Sequence, residues 1–398
     1  MGLGLGAGAV TVSRSGYVER MRIAVDAREL SGQPTGVGRY LAALLAEWGA
    51  LPEVRAHELT LYGPTLPGSA RPIGQVPPSQ PLNWRLVAGS GGTLWEQVRL
   101  PMALRRDRPD VLFAPAYTAP IISGVPLVLT IHDLSFLTHP EWFRPRERLR
   151  RRWVTRMAAA SAALVLTDTE FSKREIVHLL GLSSDRVRVI PLGVRRPTGD
   201  CTANSVVGPG AAGRLEREPL ILFAGSVFNR RRVPDLIRAF AMLSTSHPEA
   251  RLAIAGDNRT YPFEDLAACA AEAGVADRVS IHDYVPDEVL DALYRRAAAF
   301  AFLSEYEGFG LPPLEALSSG VPILVLDTEV AREVYGDAAV YVQPGDVKGT
   351  AEGLSGLLGD ASLRASLLDR AAGVLARFSW ERTARETLSA LESAAGGR

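Results

Sequence analysis

Glu307 and Glu315 stand eight residues apart around the run Gly308-Phe309-Gly310-Leu311-Pro312-Pro313. Carboxylates hold hydroxyls, pair with cations or carry protons, and the residues between these two say which surface they serve. Gly308 and Gly310 permit a turn that larger residues resist, and Pro312 or Pro313 fits a first helical turn, where a missing N–H costs nothing. A helix starting there directs free N–H groups and its positive dipole end at a ligand, which suits an anion or a hydroxyl-rich molecule. Glu307 falls in the loop and Glu315 in the first turn of that helix. The plainer alternative is that Glu315 only complements the helix dipole while Glu307 is a solvated loop acid.

Two further clusters carry charge at the ends of apolar runs. Arg230, Arg231 and Arg232 follow the run 219–224 and the segment Gly225-Ser226-Val227-Phe228-Asn229. Three arginines in a turn are often just solvated, but at the carboxyl end of a strand fixed positive charge can stabilise an anionic group. His132 and Asp133 follow the run 126–131. A lone histidine after a strand is more often structural than catalytic, yet open α/β sheets bind ligands at the carboxyl ends of their strands. A glycine loop, Gly36-Val37-Gly38, opens an amphipathic helix after the run 22–26; alone it is weak evidence, since many doubly wound sheets use such a loop for packing.

The elements that must position these groups alternate along the chain. Short all-apolar runs at 126–131, 163–167, 219–224, 297–303 and 321–326 read as strands buried on both faces, and helical periodicity separates them, as in 36–48 and 233–243. That alternation predicts α/β architecture with parallel sheets and crossover helices. At 398 residues the chain exceeds what one core usually serves, so two domains are expected. The boundaries are set at a glycine-rich leader over 1–20, a first domain over 21–196, a linker over 197–218 where periodicity stops, a second domain over 219–378, and a closing helix over 379–398. Met21 is an alternative start.

Lys plus Arg and Asp plus Glu both number 44, giving no reason to expect nucleic acid as a partner. All but two of the basic residues, Lys173 and Lys348, are arginine. Cys201 and Cys269 offer neither metal-ligand spacing nor a disulfide framework, which suits a reducing cytoplasm. No apolar run approaches a membrane span. Seven arginines between 144 and 156, with Trp142, Phe143 and Trp153 close by, read first as a solvated helix face. The same segment suits an anionic membrane surface.

The run from Glu307 to Glu315 resembles the Glu-x7-Glu signature of retaining nucleotide-sugar glycosyltransferases of the GT-B fold, family 4. The segment 130–134 is similar to the amino-terminal domain of family 4 mannosyl- and rhamnosyltransferases, and 169–173 and 379–391 also look like the family. The resemblance implies two Rossmann-like domains with parallel sheets facing a central cleft, and a last helix crossing back onto the first domain. It implies that Glu307 contacts the donor sugar, that the amides of Gly308, Phe309, Gly310 and Leu311 hold sugar hydroxyls and phosphate, and that Glu315 binds the ribose. His132 would lie near the donor sugar, and Gly36, Val37 and Gly38 would face the cleft near donor phosphate or acceptor. Arg230 and Arg231 align with the family's Arg-Lys pair beside Gly225 and Ser226, while Tyr284 and Val285 lie where the base is held. Two departures stand out: Arg231 replaces a lysine, and Ser226 stands where many members carry arginine.

The implied reaction moves a hexose from a nucleotide diphosphate sugar, GDP-mannose first and a UDP- or dTDP-hexose next, to a glycan or lipid-linked glycan. No nucleophile emerges opposite the sugar, which fits front-face attack assisted by the leaving phosphate. Neither metal nor cofactor is expected. Localisation would be cytoplasmic, or peripheral on the inner face of the cytoplasmic membrane. Three rivals remain. A glycosidase needs its two carboxylates about 5 to 9.5 Å apart across one bond, whereas eight helical steps span ~12 Å. An NAD-dependent oxidoreductase should show a third glycine after Gly36 and Gly38, where Leu41 stands. A non-catalytic nucleotide-sugar-binding protein has no need of both acids and the arginine pair together.

Overall fold

The computed structural model describes residues 20–31, 36–65, 82–195 and 217–397. The expected leader, apart from Arg20, and most of the expected linker lie outside them. A first, all-parallel sheet contains β1 (Arg22–Asp26), β2 (Glu58–Gly63), β3 (Asn83–Leu86), β4 (Val111–Ala114), β5 (Leu127–Thr130), β6 (Leu164–Thr167) and β7 (Val187–Val189), in the order β3-β2-β1-β4-β5-β6-β7. Around it run α1 (Gly36–Ala50), a π-helical turn Trp95–Arg99 continuing as α2 (Leu100–Asp107), α3 (Ser135–Thr138), α4 (Pro145–Ser161) and α5 (Glu170–Leu180).

A second parallel sheet has the order β10-β9-β8-β11-β12-β13, built from β8 (Glu218–Ala224), β9 (Arg251–Ala255), β10 (Val279–His282), β11 (Ala297–Phe302), β12 (Ile323–Leu326) and β13 (Ala339–Val342). Its helices are α6 (Val233–Leu243), α7 (Leu266–Glu272), α8 (Asp287–Arg296), α9 (Leu311–Ser318), α10 (Glu329–Tyr335), α11 (Val347–Gly359), α12 (Ala361–Leu375) and α13 (Trp380–Gly396). Strand order reverses beside β1 and β4 in one sheet and beside β8 and β11 in the other. Those are the switch points where open α/β sheets present ligand crevices.

The central strands are apolar on both faces because helices cover both. β4, β5, β6, β11 and β12 have every residue buried, and each large side chain so buried contributes roughly 1.5–3 kcal/mol. α1 buries Leu41, Leu44, Leu45 and Trp48. Across this face lies α13: Trp48 Nε1 donates to the Ala384 carbonyl at 2.9 Å, and Thr383 Oγ1 donates to the Pro191 carbonyl at 2.7 Å. A Cβ on Gly193 would stand 2.2 Å from the Trp380 nitrogen, so only glycine admits the final helix there. The C-terminal helix thus packs on the first domain.

Candidate active site

β8 ends at Ala224 and the chain turns through Gly225, whose φ of 118° favours glycine. A Cβ there would also come within 2.7 Å of Arg231 Nη1. A single 3-10 turn, Asn229–Arg231, then directs Arg230 and Arg231 inward. Arg231 donates from Nε to Glu307 Oε1 at 2.9 Å and from Nη1 to the Ser226 carbonyl at 2.7 Å, with its guanidinium 4.8 Å from the Phe302 ring. Arg230 Nη2 stands 3.5 Å from Glu307 Oε2, over Phe228 at 4.6 Å, and its buried Nε has no partner among the described residues. Arg232 takes a left-handed conformation and turns away to Asp235 and Glu305. The Ser226 hydroxyl donates to Asp257 Oδ1 at 2.7 Å.

Glu307 therefore sits under two guanidinium groups and also accepts from Ser304 Oγ at 2.9 Å. Burial alone would raise its carboxyl, but the charges of Arg231 and Arg230 outweigh burial and bring its pKa down to about 2. It is an ionised carboxylate near neutrality, not one that trades protons there.

After Glu307 the loop meets the other domain. A Cβ on Gly308 would lie 1.8 Å from the His132 carbonyl oxygen, so glycine is required for this approach. The Gly308 carbonyl accepts from Thr169 Oγ1 at 2.9 Å and Ser172 Oγ at 3.3 Å. Phe309 turns its ring into the core against Phe378, at 5.2 Å, leaving only backbone for a ligand. Gly310, at φ 92°, caps α9, and Tyr335 Oη donates to its carbonyl at 2.8 Å. Leu311 begins the helix. Glu315, expected in the first turn, is the fifth helical residue and opens the second turn, because the helix starts at Leu311 and not before.

Glu315 accepts from Tyr294 Oη at 3.3 Å; burial raises its carboxyl against the charges of Arg39 and Arg195. Arg39 comes from α1 and reaches Asp287 of α8 at 3.2 Å. The start of α1, with Gly36 exposed, Val37 half-buried and Gly38 buried, thus lies by the second domain near Glu315. Tyr284 and Val285 follow β10 at the sheet's outer end, two strands from β8, with Tyr284 exposed.

His132 has both ring nitrogens committed: Nδ1 lies 2.8 Å from Asp168 Oδ2 and Nε2 lies 3.1 Å from the Pro115 carbonyl. Burial favours the neutral ring, but Asp168 wins and holds its pKa above the ordinary value. What the site receives from His132 is its carbonyl and a fixed position, since no ring nitrogen is left for a ligand. At the β1 end, Arg28 bonds Glu96 and the Thr118 carbonyl beside Asp26, which burial raises to about 6 against the Arg28 charge.

Several contacting residues were not anticipated: Ser304, Asp168, Thr169, Ser172, Tyr306 and Glu333. Tyr306 Oη accepts from the Leu134 nitrogen at 3.2 Å and donates to Glu175. Glu333 of α10 caps α5 across the domains, accepting from Glu170 N at 2.7 Å and Phe171 N at 2.9 Å. Thr169 and Ser172 lie in the family-like run 169–173, and Thr169 also carries a local signal as a helix N-cap before Glu170.

Two doubly wound parallel-sheet domains, apposed at a loop bearing an ionised carboxylate and paired arginines, define a GT-B glycosyltransferase. The chain belongs to the family 4, group 1 glycosyltransferases: a family model described as Glycosyltransferase Family 4 matches residues 34–196, and one described as Glycosyl transferases group 1 matches 210–373. It is 28% identical over 378 residues to O-antigen chain mannosyltransferase B of Escherichia coli, covering 89% of this chain and 95% of that one. It is 32% identical over 280 residues to a D-inositol 3-phosphate glycosyltransferase of Xylanimonas cellulosilytica, covering 66% of this chain and spanning 65% of that relative. Among solved structures, Anabaena Alr3699/HepE in complex with UDP-glucose matches with a TM-score of 0.69 at 17% identity, over 94% of this chain and 100% of that one. WaaG, a glycosyltransferase involved in lipopolysaccharide biosynthesis, matches at 0.70 and 17% identity, over 93% and 99%. Membership of this family sets aside the oxidoreductase reading.

Proposed function

We propose that this glycosyltransferase moves a hexose, with retention of configuration, from a nucleotide diphosphate sugar onto a glycan or lipid-linked glycan, and that GDP-mannose is its first-choice donor. The observation that carries the reading is the buried Arg230–Arg231–Glu307 cluster beside the start of α9, with the His132 carbonyl facing it from the other domain. The Escherichia coli relative is a mannosyltransferase, which favours mannose. The Anabaena neighbour holds UDP-glucose, which favours a nucleotide sugar in a fold of this kind.

In this scheme the bond from the anomeric carbon to the β-phosphate oxygen breaks, and an acceptor hydroxyl forms the new bond on the same face. Its proton passes to the departing phosphate oxygen, releasing a nucleoside diphosphate. Arg230, with Nε unpartnered, and Arg231 offset the charge growing on that phosphate, and the N–H groups from Gly308 to Leu311 add donors. Glu307 orients the sugar hydroxyls. Glu315 takes the ribose, the backbone around Tyr284 and Val285 the base, and Gly36 to Gly38 the phosphate or the acceptor. Gly225 gives Arg231 its room, while Ser226 fixes it through its carbonyl. His132 serves as a backbone wall. No metal or cofactor enters the scheme, because the arginines and helix start supply the positive charge.

The expected setting is cytoplasmic, or peripheral on the inner membrane face. Among the described residues no helix is long and apolar enough to cross a membrane. A panel of nucleotide sugars, scored by thermal stabilisation and by release of nucleoside diphosphate, tests the reading. GDP-mannose should stabilise and be turned over, and silence from every donor would overturn it.

A further inference from the structure

On the first domain, away from the Glu307 loop, two helices turn large apolar side chains to solvent. α4 buries Val154 and Ala158 and presents Leu149, Trp153 and Met157, spaced by four, on its outer side; Leu149 is 68% and Trp153 58% exposed. The π-helical turn and α2 repeat this with Leu94, Val98 and Met102, of which Leu94 is 65% and Met102 63% exposed. The rows are joined where Arg150 Nη1 donates to Thr93 Oγ1 at 3.3 Å. Ile121 N donates to Gln97 Oε1 at 3.0 Å, which sets the exposed Ile122 beside the π-helical turn. Single apolar residues on a surface are ordinary, but a joined set of this size marks an interaction face.

The free charge on these two helices is mostly positive, since Asp107 at the end of α2 is tied to Arg85 at 3.3 Å and Tyr62 Oη at 3.1 Å. Arg146, Arg150, Arg152 and Arg156 of α4 and Arg105 and Arg106 of α2 are exposed among these side chains. Arg151 is the exception in its run, turned inward over Tyr117 at 5.3 Å and Phe143 at 5.5 Å, where it also neutralises Glu147, the one acid in α4. Apolar side chains including a tryptophan, interleaved with arginines on helices lying along a surface, match the chemistry of an anionic bilayer interface.

We propose that this face docks on an anionic lipid surface, with Leu94, Met102, Leu149, Trp153 and their neighbours entering the headgroup boundary while the arginines meet lipid phosphates. Charge complementarity selects this occupant over a second copy of the chain, which would bring the same positive face. The segment 115–122 ties the face to the cleft: the Pro115 carbonyl holds His132 Nε2 at 3.1 Å, and Arg151 of α4 stacks on Tyr117. A lipid-anchored acceptor would thereby be presented to the first-domain wall of the site. That last step rests on the proposed acceptor class; the docking itself does not.

Sedimentation of the full chain with phosphatidylcholine vesicles, with and without phosphatidylglycerol, tests the docking without donor or acceptor. Each arginine near an anionic surface raises affinity about fivefold, so Arg152→Gln with Arg156→Gln should cost about 25-fold at low salt and little at high salt. Leu149→Ser with Trp153→Ser should cost at least about tenfold at either salt, because the apolar contribution is not screened. Wild-type binding that does not prefer phosphatidylglycerol, or variants that bind as the wild type does, would overturn the proposal. So would lipid-free self-association abolished by Leu149→Ser with Trp153→Ser, since the occupant would then be a second copy. These residues are exposed, so both variants should melt with the wild type. A failed transfer assay leaves this result standing, and a failed vesicle assay leaves the donor reading standing.

Discussion

Arg231→Lys is the substitution that most finely probes the cluster, because the family usually places lysine there. The guanidinium uses two directions at once, 2.9 Å to Glu307 and 2.7 Å to the Ser226 carbonyl, and it is buried between Phe228 and Phe302. A lysine ammonium keeps the charge but reaches one of those partners, so one charge-assisted hydrogen bond is lost, about 1.5–3 kcal/mol. At ~1.4 kcal/mol per tenfold in rate, transfer should fall about 10- to 100-fold. Arg231→Ala goes further and leaves Arg230, at 3.5 Å, as the one cation beside Glu307, a broken buried pair worth ~3–5 kcal/mol of stability. The pH dependence gives the sign. Glu307 is held at about 2, below its ordinary 4.5, so its pairing stabilises the fold above pH 4.5 and is lost as pH falls toward 2. That depression corresponds to roughly 3 kcal/mol. Melting of wild type and Arg231→Ala should therefore differ most near neutrality and converge between pH 4.5 and 2. A gap that stays constant across that range, or wild-type transfer by Arg231→Lys, would refute the reasoning.

Other substitutions separate the remaining roles. Glu307→Gln keeps the size and some hydrogen bonding of Glu307 while removing its charge, and should lower transfer by on the order of 10² or more with folding retained, read by initial rates and circular dichroism. Glu307→Ala is a poorer test than it looks from sequence, since it strands two buried arginines. Glu315→Ala should weaken binding of the donor nucleotide by about tenfold in calorimetry, with a smaller effect on turnover of bound donor. Asp168→Asn removes the counter-charge of His132. Because the His132 pKa is raised by Asp168, its stabilisation is present below pH 6.5 and lost as pH rises through the folded value; in the variant burial is left largely unopposed, so that acid-side stabilisation should disappear from melting curves taken across this range.

The parts of this molecule that were legible in sequence are those whose information is local. The runs that became β8, β11 and β12 are apolar throughout because both faces are buried, and α1 announces itself by Leu41, Leu44, Leu45 and Trp48. The turn at Gly225 to Arg232 and the helix start after Gly310 were readable because glycine and proline have positional meanings. β3 was not, being a four-residue edge strand, Asn83–Leu86, with no buried residue. Nor was the π-helical turn Trp95–Arg99, which turns Glu96 inward to Arg28. The pairing of His132 with Asp168 joins residues 36 apart, and the cap of α5 by Glu333 joins residues 163 apart, so periodicity carries no trace of either. The arginine run shows both limits: its outer face was foreseeable, but the inward turn of Arg151 and the apolar rows beside it depend on how α4 lies against the π-helical turn.

The central claim is retaining transfer from a nucleotide sugar, and product stereochemistry tests it most directly. The protein would be incubated with GDP-mannose and a glycan acceptor, and the new linkage read by the anomeric one-bond carbon–proton coupling alongside GDP release. The account predicts an α-linked mannoside formed with one GDP per transfer. A β-linked product from the α-configured donor, or GDP released without any new glycosidic bond, would contradict it.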